Sequence, residues 1–277
     1  MFGLGLLGAW ILAAAVAAVP AHGGYSLRTA LVRLADFARL DFGASSISGL
    51  RAAAVVGERL PATLELLTAG AIVAFVVGIP LGVLLGRGLR AAAPLIQVVA
   101  AAPVFCAGLG LLWLSAHALR WTYAPAPLPW PSLAEGGRAA LLALGALALP
   151  GLTVGAAGAA AVQLAVRRAE SGAIEEPYRH GLRLLGLGSF EIDRLYLAPQ
   201  ILAGMLARFG EIVLTLFSAA AVAEWLFGWP GAAVLFLKSV ALHDWNVTAL
   251  VLLAFAVISL VADFCGVLAA RALGGVP

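Results

Sequence analysis

The sequence predicts an all-α, polytopic membrane protein with six transmembrane helices. Three observations carry that prediction. Of the 277 residues, 63% are hydrophobic and 11% charged, against about 25% charged in an ordinary soluble domain. Mean hydropathy is +1.03. Several apolar runs reach the ~20 residues with which a helix crosses a bilayer. A soluble globule of this size has too little interior to hide so much apolar surface. This excludes a soluble enzyme, a nucleic-acid-binding module and a disordered chain.

The first apolar run covers residues 2–20. Its length also fits a signal peptide cleaved near 18–21. It has no positively charged start, and further spans follow, so a retained helix is the better reading. Residues 26–41 differ. Leu27, Leu31, Leu34 and Phe37 share one helical face, and Arg28, Arg33, Asp36 and Arg39 fall elsewhere. The segment reads as an amphipathic helix at the membrane surface or against neighbouring spans.

The second span covers about 64–85 and carries Gly78, Gly82 and Gly86 at four-residue spacing. That ridge lets a second helix approach closely in lipid. Pro80 lies within it and predicts a kink. The third span covers about 95–116. A segment rich in Pro and aromatics follows, Trp121 to Pro131, and reads as an irregular interfacial loop. The fourth span covers about 139–166, the fifth 200–225 and the sixth 247–270. Between the last two, Trp229-Pro230-Gly231 and His243-Asp244-Trp245 read as loop. Cys106 and Cys265 lie within apolar runs and read as small core residues.

Six spans put both termini on one side of the membrane. Loops 86–94 and 167–194 hold seven basic residues in 37 positions, and the opposite loops 21–62, 116–138 and 226–246 hold eight in 86. The denser side is expected to be cytoplasmic. No domain boundary or internal repeat is visible, so residues 1–277 read as a single transmembrane domain.

The charges are few and gathered. Net charge is +3, and Lys238 is the single lysine. Phe236-Leu237 precede it without a glycine framework, so the chain has no P-loop for ATP. HExxH and paired-cysteine metal spacings are absent too. Residues 167–194 hold the largest polar cluster. Within it, 178–187 (YRHGLRLLGL) has helical spacing and a late glycine, which suits a short helix ending in a turn. Such a helix suits docking on a soluble partner, or is a solvated loop. Arg208, Glu211, Glu224 and Asp263 fall within or near spans. A charge at a helix centre costs about 2.5–3.5 kcal/mol on the insertion scale, so each should face protein or water. Arg208 and Glu211 are three apart and can pair on one face, as a structural ion pair or as part of a pathway or gate. Glu224 and Asp263 are expected near the membrane interfaces. His22, His117 and His243 read as surface residues.

Ordered local patterns resemble one family. Asp41-Phe42-Gly43-Ala44-Ser45 resembles D-[LF]-G-x-S. Residues 58–66 (ERLPATLEL) resemble R-L-P-A-T-L-E-L, and 78–83 (GIPLGV) resemble G-I-P-L-G-V. Pro103-Val104-Phe105 resembles P-x-F, and 224–231 (EWLFGWPG) resemble E-x-x-F-x-x-P-G. His243-Asp244-Trp245 resembles R-D-Y, and Asp263 fits a late acidic position. The set resembles the permease subunits of binding-protein-dependent ABC importers, in the dipeptide/oligopeptide/nickel branch and its B-like member. The similarity runs from about Asp41 to Gly266.

Residues 178–187 then resemble the EAA coupling region, Y-V-R-T-A-R-A-K-G-L. Tyr178, Arg183, Gly186 and Leu187 keep its frame, with Arg179 inside it, while Pro177, His180 and Gly181 depart from it. The resemblance implies a type I ABC importer permease fold and half of a transmembrane pathway for peptides or a similar small solute. It implies a second permease subunit, two cytoplasmic ATPases coupled through 176–190, and a periplasmic or lipid-anchored binding protein. No cofactor or catalytic residue is implied on this chain, because ATP and Mg would sit on the ATPases. Two other classes stand beside it. One is an ion-driven secondary transporter, for which Pro80 and Pro150 offer weak helix breaks. The remoter one is an intramembrane hydrolase using a serine such as Ser115 or Ser218.

Overall fold

The computed structural model describes residues 2–17, 32, 35, 36, 39, 41–87, 102–118, 120, 137–173 and 176–273. In chain order the helices are α1 (Phe2–Ala17), α2 (Ala52–Arg87), α3 (Val104–His117), α4 (Gly137–Ala173), α5 (Glu176–Leu184) and α6 (Ser189–Ile192). A π-helical turn, Asp193–Leu197, leads into α7 (Ala198–Leu206). Then come α8 (Phe209–Phe227), α9 (Ala232–Ala241) and α10 (Trp245–Ala272). The amphipathic segment expected at 26–41 lies almost wholly outside the described residues.

Among the described residues, four helical stretches are long and apolar enough to cross a membrane: Ala52–Leu85, Leu144–Glu170, Phe209–Phe227 and Trp245–Ala272. The expected first and third spans are represented by α1 and α3, of 16 and 14 residues; residues 18–20 and 95–101 lie outside the described residues. Two boundaries differ from the reading of the apolar runs. Helix α2 begins twelve residues before Leu64, because Ala52 and Val56 pack in a buried cluster with Val247 and Val251, even though Glu58 and Arg59 end the apolar run. It passes through Pro61 and Pro80 as one helix. The fifth span is two helices, broken at Ala207 and Arg208, with the π turn preceding them. Such turns inside helices mark local register changes.

The core is built around α2 and α4, which run parallel and make the most extensive contact among the described helices. Glycine makes that approach possible. A Cβ on Gly78 would stand 2.8 Å from the Ala159 carbonyl oxygen and from Val162 Cβ, and one on Gly82 would stand 2.8 Å from Val166 Cβ. The spacing read from sequence is therefore used within the chain. Gly86 lies on the same helix, and its surroundings fall outside the described residues. Helix α8 fits antiparallel onto this pair through Ile212, Leu216 and Phe217. Helix α1 lies antiparallel on α10, with Gly5 against Leu260 and Ala13 clustered with Ala249 and Leu253. The start of α1 and the end of α10 thus share one end of the bundle, together with α5 and α6.

Cys106 and Cys265 are free thiols on the exposed surface, not in the core. Apolar composition does not separate core from periphery in a membrane chain, because the outer face is apolar as well. Val76, 68% exposed on α2, shows that outer face.

Candidate functional site

The bundle's two ends are built differently. At the end holding Glu224, buried side-chain hydrogen bonds join segments far apart in sequence. Thr63 Oγ1, on α2, donates to Glu224 Oε1 at 2.5 Å. Thr63 Oγ1 in turn accepts from the Ala232 backbone N–H at 2.7 Å. The Val234 N–H donates to Glu224 Oε2 at 2.7 Å. The first N–H groups of a helix lack intrahelical partners, so Thr63 and Glu224 together cap α9 from two other helices. The Trp229 indole N–H adds a bond to the Ala62 carbonyl at 2.9 Å. Gly228 ends α8 in a left-handed conformation, φ 66°, as a helix C-terminus favours. Gly231 must lack a side chain because the Glu224 carboxyl fills the space a Cβ would take.

Glu224 is fully buried, so its carboxyl is held by protein groups and not by water. The stretch after Trp229 is also not all loop. Helix α9 forms there because Ala232 and Ala233 are fully buried and its N-terminus is capped across the fold.

A second buried knot lies at the same end. Ser45 donates to the Asp244 carboxylate, and its Oγ accepts from Ile47 and Ser48 N–H groups at 3.3 and 3.2 Å. The Asn246 amide donates to the Ala44 carbonyl at 2.7 Å. His243 has φ 59° and meets Trp245 edge-on. The sequence patterns at 41–45 and 243–245 therefore meet in space, as do those at 58–66 and 224–231. The sequence reading did not pair them. No periodicity connects residues more than 150 positions apart, so their order along the chain was the sole signal.

At the other end, the backbone bonds that shape the loop after α5 are local. Helix α5 closes with the Leu187 N–H donating to the Leu182 carbonyl at 3.3 Å and the Gly186 N–H to the Arg183 carbonyl at 3.0 Å. With Gly186 at φ 83°, this is a Schellman turn, and the glycine is there because a side chain is strained in that conformation. The next turn starts at once, with Glu191 Oε2 accepting from the Gly188 N–H at 3.0 Å. Leu182 and Ile192 are buried beneath this loop. Leu184, Leu185 and Phe190 are 76%, 79% and 75% exposed. Arg183 and His180 are exposed beside them, and Leu187 is half-buried. Tyr178 and Arg179 belong to α5, but their side chains lie outside the described residues.

Three of the four charged residues singled out near spans gather at the break before α8. Arg208 Nη1 stands 3.3 Å from Glu211 Oε2, with both side chains substantially exposed. Glu211 also lies in the first turn of α8, where the helix dipole favours an anion. Asp263, half-buried on α10, packs against Gly210; a Cβ there would stand 2.7 Å from Asp263 Cβ. Glu224 lies at the opposite end and is not part of this group.

Similarity to known proteins bears on these two ends. A family model described as binding-protein-dependent transport system inner membrane component matches residues 74–274, well over half of the chain. The matched stretch includes the Gly186 loop, the charged group before α8, and Glu224. No curated protein matches the sequence at a significant level.

Proposed function

The chain belongs to the binding-protein-dependent transport system inner membrane components, and on that premise we propose that it is one of two permease subunits of an ABC importer in the dipeptide/oligopeptide/nickel branch. Family membership makes it a membrane transport component and not an enzyme. The finer reading has six spans in a type I permease fold, with both termini and the Gly186 loop in the cytoplasm. A second, non-identical permease completes the pathway, and a binding protein delivers peptides or a similar small solute. Two separate ATPase chains supply the energy.

One observation carries the coupling. Leu184, Leu185 and Phe190 are exposed apolar side chains on a tight, polar-flanked loop beyond the end of α4. In water such side chains call for a protein cover. The Schellman turn and the Gly188–Glu191 bond give the loop a defined shape, as a docking element needs. Nucleotide-driven movement of the ATPases would then act on α5 and α6. From there it would pass through the π turn and α7 to the helix break at Arg208, as one arrangement gives way to another. Arg208, Glu211 and Asp263 are pathway or gating candidates by their place at that break.

The test is co-purification of this permease with its ATPase from membranes. Replacing Leu184, Leu185 and Phe190 together by Ser is expected to lose the ATPase while the thermal unfolding midpoint of the isolated permease stays close to wild type; Gly186→Val is expected to lose it with a lower midpoint, because Val is strained at φ 83°. Normal ATPase association by the triple variant, or by a chain lacking 176–190, contradicts the reading.

A further inference from the structure

Arg59 and Lys238 line one cavity of about 390 Å³ at the Glu224 end, together with Trp225, Trp229 and Val234. Both cations are exposed, and among the described residues neither makes an ion pair. Glu224 forms part of the floor, but it is fully buried and its two oxygens are taken by Thr63 and Val234. An incoming group therefore meets two free cations over a shielded carboxylate.

The depth of the cavity narrows the chemistry. Arg59 precedes Leu64, where the apolar run of α2 starts, by five residues, roughly 7.5 Å along a helix rising ~1.5 Å per residue. The headgroup layer on each side of a ~30 Å hydrocarbon core is about 5–8 Å thick. Trp225, 69% exposed near the end of α8, is the side chain that settles at that level. Leu237 and Leu242 are exposed on either side of Lys238, so this flank of α9 presents apolar surface next to its cation. A surface facing only water or an acidic protein would not favour those leucines; acyl chains below a headgroup would.

We propose that this cavity binds the phosphodiester headgroup of an anionic phospholipid, held by Arg59 and Lys238, with the exposed leucines and Trp225 against its chains. Basic pockets between membrane helices hold anionic headgroups on the cytoplasmic side, and the same pairing of cations with a phosphodiester is proposed for the opposite face. The lipid would seat beside the Thr63–Glu224 cap and so join α2, α8 and α9 from the membrane side.

The single lysine makes the test direct. The full-length protein is placed in phosphatidylcholine bilayers with and without phosphatidylglycerol, and bound lipid is counted by native mass spectrometry after extraction. Phosphatidylglycerol should be retained over phosphatidylcholine. Arg59→Gln or Lys238→Gln should each lower that preference about fivefold, while Lys238→Arg keeps it. In parallel, acylation of Lys238 by an amine-reactive ester is followed by peptide mapping. Phosphatidylglycerol should slow it, and inorganic phosphate at matched charge should not. An unchanged lipid preference in the Arg59→Gln/Lys238→Gln double variant overturns the proposal. So does equal protection by inorganic phosphate, which marks a free-anion site. Protection of Lys238 by the cognate binding protein but not by phosphatidylglycerol overturns it in favour of protein docking.

Discussion

At the Glu224 end, long-range side-chain bonds tie α2, α8, α9 and the residues before α10 into one unit, with Thr63, Glu224, Ser45 and Asp244 all buried. At the Gly186 end, the loop is shaped by its own backbone, and its largest apolar side chains point outward. The same chain thus joins distant segments through buried side-chain bonds at one end, where only Asp244 Oδ1 and Trp245 Nε1 are buried without a partner among the described residues, and leaves contact surface unfilled at the other. Buried polar groups satisfied on several sides fix one arrangement. Short local turns with exposed apolar groups suit an element whose partner is another molecule.

The largest expected effect comes from breaking the first end. Glu224→Ala removes the acceptor for Thr63 and for the Val234 N–H inside the protein. It should destabilise the permease by about 2–5 kcal/mol, from stranded donors and a new cavity. Thermal unfolding in detergent reads this as a clear fall in midpoint. A midpoint at the wild-type value would show that the cap of α9 is dispensable and the contrast between the ends false.

The smallest effect is expected at the Gly186 end. Glu211→Gln breaks an exposed pair with Arg208, and exposed pairs of this kind contribute about 0–1 kcal/mol. Its unfolding midpoint should lie close to wild type, whereas its transport rate, if Arg208 and Glu211 belong to the gate, should change. A loss of stability as large as that of Glu224→Ala would make the pair a structural bolt and erase the distinction.

Much of the bundle was legible from local pattern. The apolar runs located the helices that meet the membrane, and the four-residue glycine spacing marked the α2 surface that α4 touches at Ala159 and Val162. Arg208 and Glu211 were legible as a pair because three residues bring two side chains to one helix face. Helix starts were less legible, because hydropathy reports where a chain stops being apolar and not where it stops being helical, as Glu58 and Arg59 within α2 illustrate. Helix α9 and the buried state of Glu224 were not legible. Their cause is Thr63, 161 residues away from Glu224 in sequence. The π turn at Asp193–Leu197 had no sequence signature either.

The most direct measurement is amide hydrogen exchange on the full-length permease, alone and bound to its ATPase. Residues 176–192 should exchange quickly alone and slow down in the complex, while 224–248 stays slow in both. Unchanged exchange at 176–192 on ATPase binding, with the change appearing at 224–248 instead, would contradict the assignment of the Gly186 loop as the coupling surface.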